Sequence, residues 1–318
     1  MRRFESGQRL IAISLLGIVL SFGVALATDV DGPDCNRNIL DWGDAPEGLL
    51  AYPVSAPGVM GCFPTCFGFG LASTQTFVCP PISTPPGISG YITHIQAVNT
   101  PSYWLGCYAS ATGAPMGIDS EPDGKVNSPP VGSSFCHSGL LTDCVSPFEG
   151  GFDQDECYGD GSDATLKTKL SFLTCTFTSF PFEVYSCATF QRNIFLNVAV
   201  DWNQDGDWND NFICTPGTPC AYEWAVKNAT LTIGPGCNFL ATPAFQTGPF
   251  VKNNVWLRIT ISDTPVNDDY PWAGSSTMGP VPGGDQLRGG ETEDYQVDVK
   301  IQTPTEPTTW GHIKALYR

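Results

Sequence analysis

Apolar and polar residues alternate with period two over five stretches of this chain: "TLKTKLSFLTCTF" (165 to 177), "NIFLNVAVDW" (193 to 202), "ATLTIG" (229 to 234), "NVWLRITIS" (254 to 262) and "YQVDVKIQ" (295 to 302). In an extended chain this alternation sends successive side chains to opposite faces, so each stretch predicts a β-strand. In the fourth, Val255, Leu257, Ile259 and Ile261 share one face and Trp256, Arg258 and Thr260 the other, which predicts a half-buried strand. Helical periodicity is nearly missing. With 27 prolines and 34 glycines between the strands, the expected fold class is all-β: an antiparallel β-sandwich of jelly-roll or Ig-like type, loop-rich and stapled by disulfides.

The organisation follows from changes in this pattern. Arg2, Arg3 and Arg9 precede a largely apolar run from Leu10 to Leu26, and Ala25-Leu26-Ala27 offers small residues at a cleavage position. Residues 1 to 27 therefore read as a secretory signal peptide, and the remaining protein is expected to be extracellular or on the cell surface and not to span a membrane. Residues 28 to 164 form a loop-rich, cysteine-rich half, and residues 165 to 302 a strand-dense half. Residues 303 to 318 form a Pro/Thr linker followed by "WGHIKALYR". There Trp310, Ile313 and Tyr317 are spaced for a helical turn, which suits either a docking tag or a frayed tail.

Charge narrows the partners. The chain has 15 Lys+Arg and 32 Asp+Glu, a net −17; without residues 1 to 27, 12 basic and 31 acidic residues leave −19. Nucleic acid and anionic membranes are disfavoured and a cation is favoured, although solubility alone accounts for many of the charges. All 13 cysteines lie between Cys35 and Cys237, without the paired C-x-x-C units of a structural zinc site. Disulfides are expected, with Cys214–Cys220, Cys136–Cys144 and Cys175–Cys187 as local pairs and Cys35 as the odd thiol.

The strongest chemical signal is "DWNQDGDWND" (201 to 210), four aspartates and two asparagines directly after a strand. Asp201, Asn203, Asp205 and Gly206 fit the start of a D-x-[DN]-x-[DN]-G calcium loop, with Asp207 and Asn209 at the seventh and ninth positions. Phe212 stands where an EF-hand has its bidentate glutamate, so a carboxylate from elsewhere is required. Glu223, Glu291 and Glu293 are the candidate donors. The competing reading is an Asx-rich turn bonded to its own backbone. Asp119, Glu121 and Asp123 in "DSEPDG" point the same way in extended chain and form a second candidate calcium site, and Gln154, Asp155 and Glu156 a weaker one.

Several separated segments together resemble the GEVED-domain family of secreted bacterial proteins. "GGETEDYQVDV" (289 to 299) matches its closing motif at Gly290, Glu291, Glu293, Asp294 and Tyr295, with Thr292 in place of valine. "DWNQDGDW", the pair Glu223 and Trp224, the strand from Trp256 to Thr260, "DWGDAP" (41 to 46) and the acidic core Asp119, Glu121 and Asp123 follow the same order. "FDQDECYGDG" only loosely echoes the family's acidic stretch, and "SSFCHSGLLTDC" and "ICTPGTPC" look like cysteine-bearing insertions. The resemblance implies a β-sandwich module on extracellular proteins with no established catalytic activity.

The functional expectation is a calcium-binding structural or adhesive module, with other surface proteins as possible partners. The alternative is an extracellular carbohydrate-binding module, in which Trp104, Trp202, Trp208 and Trp272, in or beside loops, would present stacking platforms. A carboxylate hydrolase is disfavoured because the carboxylates have ligand spacing. The only histidines are His94, His137 and His312, and neither a G-x-S-x-G elbow nor an H-E-x-x-H helix is present, so no enzyme is expected. Asn228 begins a glycosylation sequon, "NAT", which is informative only in a eukaryotic host.

Overall fold

The computed structural model describes residues 40–41, 45, 47–52, 58–64, 92, 94–95, 103–107, 165–166, 168–273 and 287–301. Asp119, Glu121, Asp123, Gln154, Asp155, Glu156, Cys35, Cys136, Cys144, His137, His312, the expected signal peptide and residues 303 to 318 lie outside them. In chain order the strands are β1 (Leu40–Asp41), β2 (Glu47–Tyr52), β3 (Val59–Cys62), β4 (His94–Ile95), β5 (Tyr103–Leu105), β6 (Ser171–Leu173), β7 (Phe177–Thr178), β8 (Pro181–Ser186), β9 (Arg192–Val200), β10 (Asn211–Ile213), β11 (Cys220–Tyr222), β12 (Val226–Ile233), β13 (Gly236–Ala241), β14 (Phe245–Gln246) and β15 (Lys252–Ser262). A one-turn helix α1 (Tyr270–Ala273) follows, then β16 (Leu287–Arg288) and β17 (Glu291–Lys300).

The result is a mostly β domain of several sheets, one of them strongly curled. A five-stranded sheet runs β12-β9-β15-β17-β6 and a three-stranded sheet β13-β8-β5. Their facing residues form one core: Ile194, Leu196, Val198 and Val200 of β9 and Val255, Leu257, Ile259 and Ile261 of β15 meet Phe182 and Val184 of β8 and Tyr103 and Leu105 of β5. Pairing is not wholly antiparallel, because β6 joins β17 in parallel and β16 joins β4 in parallel. Strands from before residue 165 (β4 and β5) thus pair with strands from after it (β16 and β8).

Three sequence expectations are corrected. The run 165 to 177 is two short strands, since Cys175 turns the chain with φ 57° between β6 and β7. Cys175 is bonded to Cys214, with Cα atoms 5.5 Å apart, so neither Cys175–Cys187 nor Cys214–Cys220 forms. The β10–β11 register sets Ile213 opposite Cys220, and alternation sends Cys214, one residue on, to the other face. Cys107 pairs with Cys237, and Cys187 and Cys220 are also disulfide-bonded. Finally, β15 is buried on both faces: Trp256, Arg258 and Thr260, expected on an open side, are 4%, 1% and 0% exposed.

That second face is covered by Ala45, Ala51, Tyr52 and Phe63, which cluster with Ala199, Trp208 and Trp256. A smaller cluster of Ile92, Trp224, Val266, Tyr270 and Leu287 extends it. At its centre Arg258 Nε donates to Asp294 Oδ1 at 2.7 Å, and Arg258 NH1 donates to the Pro64 carbonyl at 2.6 Å. Asp294 Oδ2 accepts the Ala45 backbone N–H at 2.6 Å. Buried donors and acceptors thus fix Ala45 and the "CFP" segment (62 to 64) to the sheet. Gly290, just before β17, allows the close strand approach: its φ is 75°, and a β-carbon there would lie 1.9 Å from the Ile261 carbonyl oxygen.

Breaking the buried pair should be costly, because Asp294 is 0% exposed and would keep an uncompensated charge. Arg258→Ala is expected to lower unfolding free energy by about 3–5 kcal/mol in urea titrations. A loss below about 1 kcal/mol would mean that the pair does not hold the second face in place.

Candidate metal centre

The acidic loop begins where β9 ends. Asp201 N–H still donates to the Trp256 carbonyl at 3.1 Å, so the first loop residue is fixed against the central strand β15. From there the loop turns through Gln204 (φ 63°) and Gly206 (φ 95°), and the glycine meets the sharp turn expected of it. Asp201 Oδ1 accepts the Asp205 N–H at 3.1 Å, and its Oδ2 accepts the Gly206 N–H at 2.9 Å. Tyr52 closes the outer side: its hydroxyl donates to Asp201 Oδ2 at 2.9 Å and accepts the Trp256 N–H at 3.1 Å. Gly206 in turn accepts the Cys62 N–H at 2.7 Å.

The two tryptophans of the loop point into different cores. Trp202 belongs to the main core, with its ring 5.8 Å from Phe172 and its Nε1 bonded to the Tyr222 carbonyl at 2.9 Å. Trp208 lies on the opposite side, 4.5 Å from the Phe63 ring and 4.3 Å beneath the Arg258 guanidinium. Both are fully buried, as are Trp104 and Trp272, with exposures of 0–4%. None of the four offers the exposed face that sugar stacking needs.

The missing carboxylate is Glu223. The β10–β11 hairpin carries the chain out and back, and its ladder extends by one bond from Glu223 N–H to the Asp210 carbonyl at 3.0 Å. Val200 N–H donates to the Glu223 carbonyl at 2.8 Å, so Glu223 is clamped between the hairpin and the end of β9. Its Oε2 accepts the Asp210 N–H at 3.0 Å. Carboxylate oxygens of Asp201, Asp205 and Glu223 lie within 4.8 Å of one another, and so do those of Asp205, Asp207 and Asp210. Spacings of this size suit oxygens sharing one ion at 2.3–2.6 Å.

Glu291 and Glu293 do not join them. They lie on the core-facing side of β17, opposite Ile261 and Ile259, where Glu291 accepts the Leu105 N–H at 2.5 Å and Glu293 accepts the Thr165 N–H at 3.2 Å and the Tyr295 hydroxyl. Asn203 donates its amide to Asp205 at 2.9 Å and to Asp210 at 2.7 Å, bracing the carboxylates. Sequence reasoning missed Asp210 and Tyr52. Asp210 stands at the tenth loop position, for which the calcium template has no role, and nothing local to Tyr52 announces its long-range contact. His94 is structural: Nδ1 contacts the Gly289 carbonyl at 3.0 Å and Nε2 the Thr292 hydroxyl at 2.8 Å. Burial first of all lowers its pKa to about 4. Asn228 is likewise held at both ends of its amide by Val266, at 2.8 Å each, which ties up the sequon. The trio Cys107, Glu183 and Cys237 offers no thiolate, since its two sulfurs are bonded to each other.

Electrostatics at the loop is one-sided. Burial, then Asp205, pushes Asp201 up to about 8; burial, then Asp210, pushes Asp205 up to about 7. Burial, then Asp205, pushes Asp207 up to about 8, and burial with all four aspartates holds Glu223 well above the carboxylate range. Buried carboxylates that repel one another must be neutralised by protons or by a cation. Glu223 Oε1, Asp205 Oδ1 and Asn209 Oδ1 are buried acceptors with no hydrogen-bond donor. No protein-family model and no curated protein matches the chain.

The raised values fix the sign of a pH dependence. Without a cation the folded loop retains protons that the unfolded chain releases above its ordinary carboxylate pKa near 3.8, so stability is lost as pH rises toward 8. Chelator-treated protein should therefore melt at progressively lower temperature from about pH 5 to about pH 8, whereas calcium-saturated protein should not. Calorimetric scans in the two conditions give the comparison, and parallel pH profiles would contradict it.

Proposed function

We propose that the protein is a secreted, non-catalytic β-module of the cell exterior, structural or adhesive, whose fold is completed by calcium at the 201–210 loop. The observation that carries this reading is the trio of buried oxygens, Glu223 Oε1, Asp205 Oδ1 and Asn209 Oδ1, which lack any donor. A buried acceptor left unpaired costs about 1–3 kcal/mol, and more when charged, so three around one loop call for a positive ion. The donor set is all oxygen, which suits calcium rather than zinc, and it is supplied by a loop and a hairpin, which tolerate calcium's flexible coordination better than magnesium's strict octahedron.

The extracellular part of the proposal rests on the signal-like first 27 residues, the disulfides and the acidity. Membership of the GEVED-like family, and a jelly-roll or Ig-like sandwich, are proposed on the motif order alone. In that reading the closing motif acts as a clasp: Gly290 admits the neighbouring strand, Glu291 and Glu293 gather backbone N–H groups, and Asp294 holds Arg258. Surface proteins are the proposed partners. The carbohydrate reading loses its motivating residues with the burial of the four tryptophans.

A ligand bound only by the native state stabilises it by RT ln(1 + [L]/Kd), about 2.7 kcal/mol at a hundredfold excess over Kd. Calcium at that excess should raise the melting temperature above that in chelator. An unchanged value, with metal removal verified by elemental analysis, would refute the proposal. Asp201→Ala should weaken calcium binding while leaving the fold intact at saturating calcium. Its neighbour Trp202→Ala should destabilise by about 3–5 kcal/mol with or without calcium, since Trp202 fills the core.

A further inference from the structure

We propose that the loop binds two calcium ions, not one, with the Asp205 carboxylate bridging them. This rests on the calcium reading above and extends it to the number and arrangement of ions. The five carboxylates do not gather around one point. They fall into two sets, Asp201, Asp205 and Glu223 in one and Asp205, Asp207 and Asp210 in the other, each with oxygens within 4.8 Å, and only Asp205 belongs to both.

Unsatisfied oxygens lie on a member of the first set, on a neighbour of the second and on the shared residue. Glu223, a member of the set with Asp201 and Asp205, is 0% exposed; its Oε2 accepts the Asp210 N–H, and its Oε1 has no donor. Asn209 is 3% exposed, and its amide nitrogen lies 3.1 Å from Asp207 Oδ1, which places the carboxamide against the second set while its Oδ1 has no donor. Asp205, the shared member, is divided in the same way: Oδ2 takes the Asn203 amide, and Oδ1 is left without a partner. Orphaned acceptors therefore flank both sets and lie on the residue between them.

Charge leads to the same count. Fully ionised, Asp201, Asp205, Asp207, Asp210 and Glu223 sum to −5. One divalent ion would leave −3 among side chains that are largely removed from water, and two leave −1. A carboxylate bridging two divalent ions is a chemically ordinary arrangement, and bridging draws the ions close enough to share the loop.

The count is best taken by difference, so that ions held elsewhere on the chain cancel. Native mass spectrometry of the full protein in calcium should show Asp205→Ala carrying two fewer ions than the unaltered chain. Asp207→Asn and Glu223→Gln should each carry one fewer, and the double variant two fewer. If Asp205→Ala loses one ion and the double variant also loses one, there is a single site: the two-ion arrangement is overturned and the calcium reading stands. If no variant changes the count, both fail. A measurement on the unaltered protein covers variants that do not fold. Manganese loaded in place of calcium should give an electron paramagnetic resonance spectrum broadened by a neighbouring manganese, and this broadening should disappear in Asp207→Asn. A spectrum of isolated manganese only, at full loading, would overturn the proposal.

Discussion

The second face of the central sheet depends on one desolvated ion pair. Arg258 and Asp294 lie opposite each other on β15 and β17, both almost wholly shielded from water, and each uses its remaining hydrogen-bonding capacity on chain far away in sequence. Arg258 holds the Pro64 carbonyl and stacks over Trp208, and Asp294 holds the Ala45 N–H. An isolated charge in such surroundings would be prohibitively costly, so the pair persists only while every donor and acceptor around it is matched. That requirement converts a sheet surface into a specific docking site for Ala45 and Pro64. Beside it, the hydroxyls of Tyr270, Thr260 and Thr292 continue the polar network to His94.

The acidic loop joins this layer to the main core. Trp202 and Trp208, six residues apart, bury themselves on opposite sides of the sheet, and the carboxylates lie on the turn between them. Whatever neutralises those carboxylates therefore acts on both packing layers at once. Tyr52 strengthens the link, since its hydroxyl joins a carboxylate of the loop to the backbone of β15.

Much of the main sheet was legible in the sequence because period-two alternation is a local property. The faces of β9 and β15 are those that the pattern assigns, and Trp202 follows Val198 and Val200 into the core. The other face of β15 was not legible. Trp256 and Arg258 read as an open side because Ala51, Tyr52 and Pro64, which bond to them, come from some 200 positions earlier, and Thr260 because Tyr270 reaches it from a later turn. The turn at Gly206 and the nearness of Asp201 to Asp205 were readable from loop spacing, and the approach of Glu223 from the need for one more carboxylate. Choosing Glu223 over Glu291 and Glu293 required the strand register, which sends the last two into the opposite face. The disulfides failed for a similar reason: short sequence separation suggested local pairs, whereas hairpin register turned Cys214 away from Cys220 and toward Cys175.

The position of β17 has a bearing on how the molecule is made. It is the latest in sequence of the described strands, yet it lies inside the five-stranded sheet, with β15 on one side and β6 on the other. Until Glu291–Lys300 has left the ribosome, β15 has an open edge, β6 has no neighbour in that sheet and Arg258 lacks the Asp294 carboxylate. The five-stranded sheet therefore stays incomplete until β17 is made, and non-local closure of this kind is slow and exposed to aggregation. The sheet of this architecture closes only when β17 enters between β15 and β6.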